Sequence, residues 1–205
     1  MIGIVDYEMG NLRSVQKALE SFGTEVVITS DKSEALKCSG IIIPGVGAFP
    51  DAMENLKAKG LDEVISEVAS HKVPILGICL GMQLLFERGE EVRECSGLGL
   101  IPGSIKKIQG NVKIPHMGWN SLEKSKDCSI LQNIPDESYV YFVHSYYAAG
   151  VRNENLNAAS FYGVKIPAVV SCENVYGVQF HPEKSGDTGI AILKNFARLA
   201  GDLKD

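Results

Sequence analysis

The chain has 205 residues, which suits one domain with a substantial core, and its 45% hydrophobic and 22% charged residues are ordinary for a globular protein. The net charge of −5 and the absence of a basic cluster longer than Lys106-Lys107 argue against a nucleic-acid or anionic-membrane surface, so we expect small molecules or proteins as partners. The five cysteines are odd in number and form no CxxC pair, so we expect neither a disulfide framework nor a metal site, and no motif calls for a cofactor.

The first half of the chain alternates predicted strands and helices. Met1–Asp6 enters a strand without a basic region or a long apolar span, so we expect a cytoplasmic protein without a signal peptide or membrane helix. Short apolar runs predict strands at residues 2–5, 25–28, 40–43 and 74–78. Helices are predicted at residues 12–22 after an Asn11 cap, at 31–37, between 51 and 70, and at 82–86. This repeated order predicts a parallel sheet with helices on both faces and a site at the carboxyl ends of its strands.

After residue 86 the pattern changes. Turn signals separate predicted strands at residues 105–108, 139–146, 158–162, 168–172 and 176–180, with no helices between them. A last helix is predicted from about residue 188 to residue 200. The fold class is therefore α/β, a mostly parallel sheet flanked by helices with a mixed or antiparallel carboxyl-terminal extension, in a single domain over residues 1–205.

One cysteine lies where a nucleophile would be expected. Gly77-Ile78-Cys79-Leu80-Gly81 joins a predicted strand to a predicted helix, which is the thiol counterpart of the G-x-S-x-G elbow. The flanking glycines would allow a sharp turn, and the helix amino terminus would favour the thiolate that attacks carbonyl carbons. The alternative is a buried cysteine that acts only as a small hydrophobic residue.

A thiol nucleophile needs a base and a group that orients the base. Of the four histidines only His181 has a carboxylate at useful spacing, in Gln179-Phe180-His181-Pro182-Glu183. Residues two apart in an extended chain project to the same side, so Glu183 can bind one ring nitrogen and leave the other free for Cys79. Alone, this segment would be an ordinary strand end followed by a proline turn.

The two motifs together, GICLGMQ and QFHPEKS, resemble those of the class I, or triad, glutamine amidotransferases. Four further segments, DYEMGNLRSV, IIIPGVGAF, PHMGWN and YFVHSYY, are similar to the glutaminase subunits of imidazole glycerol phosphate synthases. The resemblance spans nearly the whole chain and implies a flavodoxin-like fold. One departure is Glu8, where those subunits more often have glycine, and this affects only the first loop.

The resemblance implies a catalytic mechanism. Cys79 would attack the side-chain amide of glutamine and form a thioester, His181 would transfer protons, and Glu183 would hold the imidazole. The backbone N–H groups of Leu80 and Val46 would stabilise the oxyanion. The remaining residues implied to bind the substrate are Gly45, Gly47, Gln83, Ser145 and Tyr146.

The resemblance also implies a protein partner, a cyclase subunit with a (β/α)8-barrel that receives the ammonia in a heterodimer. Asn11, Trp119 and Lys184 would lie at that interface, with Trp119 in a Gly-Trp-Asn turn. Gly45 and Gly47 would let the peptides around Val46 rotate, so we expect the isolated chain to be a poor glutaminase that its partner activates. His116 and His144 are expected to be hydrogen-bonded core or loop residues.

Three functional classes remain open on the residues alone. The first is a glutaminase subunit that serves the imidazole glycerol phosphate cyclase. The second is the same chemistry serving the synthase of anthranilate, guanylate or pyridoxal phosphate. The third is a cysteine hydrolase, or a binding module that has kept the fold without the activity.

Overall fold

The computed structural model describes residues 1–203. Fourteen strands are present in this range: β1 Ile2–Val5, β2 Val26–Thr29, β3 Gly40–Ile43, β4 Ile75–Ile78, β5 Phe86–Gly89, β6 Cys95–Ser96, β7 Ile101–Lys107, β8 His116–Ser121, β9 Glu123–Lys124, β10 Tyr139–His144, β11 Tyr146–Ala149, β12 Leu156–Tyr162, β13 Val164–Cys172 and β14 Val175–Val178. The α-helices of the described chain are α1 Leu12–Glu20, α2 Lys32–Ala35, α3 Phe49–Ala58, α4 Leu61–Ser70, α5 Leu80–Leu84 and α6 Gly186–Leu199, and 3-10 turns occur at Ser129–Leu131 and Pro182–Lys184.

An eight-stranded sheet forms the centre of the molecule, in the order β2-β1-β3-β4-β14-β13-β12-β9. Strands β2, β1, β3, β4 and β14 are parallel, and β13, β12 and β9 extend the sheet with antiparallel pairings. Two smaller sheets, β10-β8 and β11-β7-β5-β6, complete the fold. The predicted α/β class with a mixed extension is therefore confirmed.

Apolar residues on both faces of the central strands explain why this sheet is buried. In β3, Ile41 and Ile43 pack into the core on one face, whereas Ile42 packs into the core on the other. A strand with no polar face is stable only between two layers, here mainly α3 and α4 on one side and α1 and α6 on the other. Asn11 caps α1 as predicted, because its side chain accepts a hydrogen bond from the Ser14 amide.

The structure corrects several element boundaries. The helical segments predicted between residues 51 and 70 are α3 and α4. This pair begins two residues earlier than predicted, at Phe49, and is divided at Gly60, where φ is a left-handed 61°. The predicted helix at 82–86 is wrong at its end, because α5 ends at Leu84 and Phe86 begins β5. Strands β5, β6, β8 and β9 were not predicted. No helix within residues 1–203 is long and apolar enough to cross a membrane.

Glu8, which departs from the pattern of the subunits that the chain resembles, has an unusual backbone conformation in the first loop. Glu8 has φ 66°, a left-handed conformation that favours glycine. Its amide donates to the Asp6 carboxylate and its own carboxylate pairs with Lys59, so two local contacts stabilise the conformation.

Candidate active site

Cys79 occupies a strained turn between β4 and α5. Its φ of 55° and ψ of −109° are rare for a residue with a Cβ, so the strain of the turn falls on Cys79 itself. The glycines on either side serve close packing instead, because a Cβ on Gly81 would lie 1.7 Å from the Ile43 carbonyl oxygen and one on Gly77 would lie 2.6 Å from the Gly81 carbonyl oxygen. With only five residues, α5 also has a smaller dipole than the sequence pattern suggested.

His181 reaches Cys79 because β14 pairs with β4. The two strands are parallel and in register at Val178 and Ile78, so the residues that follow them come together at the same end of the sheet. His181 Nδ1 lies 2.9 Å from Glu183 Oε1, and their side chains are only 5% and 3% exposed. The carboxylate accepts a hydrogen bond from the Nδ1–H group, which leaves Nε2 to face the Cys79 sulfur.

The electrostatics of this group favour a charged imidazole. Burial alone would lower the pKa of His181, but Cys79 and then Glu183 outweigh that effect and raise this pKa to about 10. The cluster therefore favours a charged imidazolium, with the carboxylate of Glu183 behind the ring. Thiolate is the form that attacks a carbonyl carbon, and imidazolium is the form that can protonate a leaving group.

The loop that follows β3 faces this group. The buried hydroxyl of Tyr7 donates to the Pro44 carbonyl oxygen at 2.5 Å and so fixes the first peptide of the loop. Among the described residues the amides of Val46 and Leu80 have no hydrogen-bond partner. Val46 is also half exposed. The loop is thus anchored at its start and unrestrained at Val46.

A cavity of about 310 Å³ opens above Cys79, a volume that suits a ligand as small as an amino acid. It is lined by six of the residues predicted to bind substrate or oxyanion: Val46, Gly47, Leu80, Gln83, Ser145 and Tyr146. Its other lining residues are Cys79, Glu91, Pro115, Val143 and His144. Gly45 lies instead in a small crevice behind the loop. A larger cavity of about 620 Å³ is lined by none of the predicted site residues.

Gln83 can offer this cavity only one kind of group. Its Nε2 donates both to the Tyr146 carbonyl oxygen at 3.0 Å and to Gln179 Oε1 at 3.1 Å. Both amide hydrogens are therefore engaged, and only Oε1 remains to bind a ligand, as an acceptor.

Sequence reasoning missed Glu91. Glu91 lines the cavity, and its carboxylate accepts a hydrogen bond from the Phe49 amide at 2.8 Å. Nothing in the sequence near residue 91 signals this position, because the contact depends on how the segment after β5 folds back over α3.

His116 and His144 form a buried hydrogen-bonded chain, as expected for core residues. Asn120 Nδ2 lies 3.3 Å from His116 Nε2, His116 Nδ1 lies 3.0 Å from His144 Nε2, and His144 Nδ1 lies 2.8 Å from the Tyr146 carbonyl oxygen. A carbonyl can only accept, so each ring carries its proton on Nδ1. Burial lowers the pKa of His116 to about 4 and that of His144 to about 3, which keeps both rings neutral.

The residues predicted for the partner interface are divided between two places. Asn11 and Lys184 line the crevice behind the Val46 loop, together with His181 and Glu183. Trp119 lies in β8, 54% exposed, with its ring edge against Tyr141 of β10. The prediction that Trp119 lies in a turn is wrong, because Gly118 and Asn120 are paired with β10.

Comparisons with known proteins agree with this geometry. A family model described as glutamine amidotransferase class-I matches residues 3–200. The imidazole glycerol phosphate synthase subunit HisH of Bacillus cereus (strain ATCC 10987 / NRS 248) is 54% identical over 196 residues, which cover 96% of this chain and 93% of that protein.

Solved structures resemble the chain in fold. A glutamine amidotransferase has a TM-score of 0.77 at 18% identity, with 98% of each chain covered. The structure of PurLQS from Thermotoga maritima gives a TM-score of 0.74 at 20% identity, with 96% of this chain and 97% of that chain covered.

Proposed function

The chain belongs to the class I glutamine amidotransferases, and on that premise we propose that it is the glutaminase subunit of an imidazole glycerol phosphate synthase. It hydrolyses glutamine to glutamate and ammonia for histidine biosynthesis. We propose further that residues 1–205 form one amidotransferase domain that works in the cytoplasm. The observation that carries the activity is the convergence of Cys79, His181 and Glu183 at one end of the sheet, next to a cavity of amino-acid size.

The geometry supports a two-step acyl transfer. The Cys79 thiolate attacks the carboxamide carbon of glutamine, and His181 gives its Nε2 proton to the leaving nitrogen, which departs as ammonia and leaves a glutamyl thioester. His181 is then neutral and takes a proton from water, whose oxygen attacks the thioester carbon and releases glutamate. Glu183 keeps Nδ1 protonated in both steps.

The cavity walls offer a complementary group for each part of glutamine. The oxyanion meets the amides of Leu80 and Val46, which have no partner among the described residues. Gln83 Oε1 accepts a hydrogen bond from an N–H of the substrate, and the Glu91 carboxylate suits its α-ammonium group. Ser145 and Tyr146 lie where they can bind the remaining polar end.

The acceptor of the ammonia is a second subunit. By its name the HisH relative is one subunit of a synthase, and we propose that the partner here is a cyclase with a (β/α)8-barrel. The exposed Trp119, with Asn11 and Lys184 behind the Val46 loop, supports a docking face at the site end of the sheet. A partner that contacts this loop can favour the state in which the Val46 amide faces the oxyanion.

The test is glutamate release from glutamine by the purified chain alone, with the cyclase subunit, and with the cyclase and its nucleotide ligand. We expect low activity alone and strong activation in the full complex. Cys79→Ala is the control, which must abolish glutamine-dependent synthesis and leave ammonia-dependent synthesis intact. A chain that never releases glutamate under any of these conditions would refute the proposed activity, and full activity without the partner would refute the gating.

A further inference from the structure

Gln179 is a fully buried amide beside the nucleophile, and the mechanism above does not use it. It follows β14 and precedes His181 by two residues, and its backbone amide donates to the Ala168 carbonyl oxygen at 2.9 Å. Its side-chain Nε2 lies 3.8 Å from the Cys79 sulfur, within range of the longer hydrogen bonds that sulfur accepts. Its Oε1 accepts the hydrogen bond from Gln83.

The direction of this amide is fixed by its surroundings. The Tyr146 carbonyl oxygen can only accept, so the nitrogen of Gln83 must face it. That same nitrogen then faces Gln179, which must present its oxygen to Gln83. The nitrogen of Gln179 is therefore left pointing at Cys79, so a backbone carbonyl determines which atom the sulfur meets.

A buried amide in this position needs a reason. Burying an amide from water costs free energy unless its hydrogen bonds are replaced, and an apolar side chain of the same length would avoid that cost in a core strand. In Gln179 both polar atoms form hydrogen bonds, because Oε1 accepts from Gln83 and Nε2 faces the Cys79 sulfur. An N–H donor stabilises a thiolate more than a thiol, because hydrogen bonds to charged acceptors are the stronger ones.

We propose that Gln179 is a positioning residue that donates a hydrogen bond to the Cys79 thiolate and holds the sulfur between His181 and the cavity. The inference deepens the proposed function and rests on Cys79 as its nucleophile. Unlike His181, the amide does not titrate, so its contribution to the thiolate is the same at every pH at which the protein is folded.

Other groups near Cys79 also affect its ionisation and must stay unchanged in a test. The imidazole of His181 faces the sulfur, with Glu183 behind it. The buried Tyr7 hydroxyl is close enough to interact electrostatically with Cys79, whereas Glu91 and the neutral His144 line the cavity. Replacing Gln179 leaves all five of these groups in place.

The experiment measures alkylation of Cys79 by iodoacetamide across pH in the isolated folded chain, with mass spectrometry to separate it from the other four cysteines. Gln179→Met keeps the length and removes the donor. Loss of one such hydrogen bond should slow alkylation near neutral pH about fivefold and move the profile to higher pH. In the active complex kcat for glutamine should fall by a similar factor.

Two further variants separate positioning from packing. Asn195→Leu removes a buried amide of the carboxyl-terminal helix whose hydrogen bonds, within residues 1–203, are to Ile130, Gln132 and Arg198, and it should leave alkylation unchanged. Gln179→Glu keeps the shape of the side chain and exchanges the N–H donor for a carboxylate, so it should slow alkylation more than Gln179→Met. It is also the variant to measure if Gln179→Met does not fold. Wild-type alkylation in folded Gln179 variants, or equal slowing by Asn195→Leu, would overturn the inference. If Cys79 responds as expected but glutamine is never hydrolysed, the proposed function fails and the inference stands.

Discussion

A single methyl group on Gly45 should disable the oxyanion loop. A Cβ at this position would lie 2.3 Å from the Tyr7 hydroxyl, 3.0 Å from the Leu80 Cβ and 3.2 Å from the Gly81 amide nitrogen. Tyr7 is fully buried and bound to the Pro44 carbonyl oxygen, so it has no room to retreat. The loop must therefore move away from Cys79.

The size of the effect follows from that displacement. Ordinary contacts at a Cβ begin at 3.4 Å, so relief of the Tyr7 contact needs a shift of about 1 Å, and a displacement of that size in an active site costs roughly a hundredfold in rate. Complete loss of one oxyanion donor costs about 10²- to 10³-fold. Gly45→Ala should thus lower kcat for glutamine by about 10²- to 10³-fold and change KM little.

The assay is steady-state glutamate release by the complex, with ammonia-dependent synthesis as the control that the protein is folded and assembled. The double variant Tyr7→Phe/Gly45→Ala removes the worst contact and should recover part of the lost rate. If Gly45→Ala retains wild-type kcat, or if the double variant is no better than the single one, the loop is not held in place as described.

Three further predictions concern the triad. A glutamine-derived diazo-ketone should label Cys79 alone among the five cysteines, and an adduct on any other cysteine in the mass spectrum would count against the assignment. Glu183→Gln should lower kcat about 10- to 100-fold, less than His181→Ala does, because the base and nucleophile remain while a charge-assisted hydrogen bond is lost; equal rates for wild type and Glu183→Gln would contradict the orienting role. The pKa of His181 rises from 6.5 in the unfolded chain to about 10 in the folded chain. The contribution of the charged imidazole to the free energy of unfolding is therefore complete below pH 6.5 and is lost as the pH rises through about 10. Urea unfolding should therefore show the stability difference between wild type and His181→Asn shrinking over that range, and a constant or growing difference would contradict the charged imidazole.

Local patterns were enough to predict the parts of the site that lie on strand ends. The strand before Cys79 and the extended segment of His181 and Glu183 are apolar runs with a reactive residue at the end, so sequence alone placed all three residues at one edge of the sheet. Gln179 and Glu91 could not be predicted in this way. Their positions depend on which strands become neighbours and on how a loop folds back, and neither leaves a local signal.

At strand β8 a local sequence pattern was present but led to a wrong prediction. Glycine and asparagine on either side of Trp119 are typical of a turn, and Gly118 does have a φ of 134°. Pairing with β10 nevertheless keeps the segment extended, because Gly118 lies opposite Phe142 and Asn120 opposite Val140. Tertiary pairing overrides the local preference, as is common for short strands.

The position of β14 between β4 and β13 also sets when the enzyme can first act during synthesis. Gln179 and Cys79 are 100 positions apart in the chain, and His181 follows Gln179 closely. A ribosome releases the strand that carries the thiol long before the strand that activates it, since chains emerge from the amino terminus. A nascent chain therefore has no activated Cys79, and releases no ammonia, until residue 181 has emerged and β14 has inserted between β4 and β13. The order of the strands therefore prevents incomplete copies of this chain from hydrolysing glutamine.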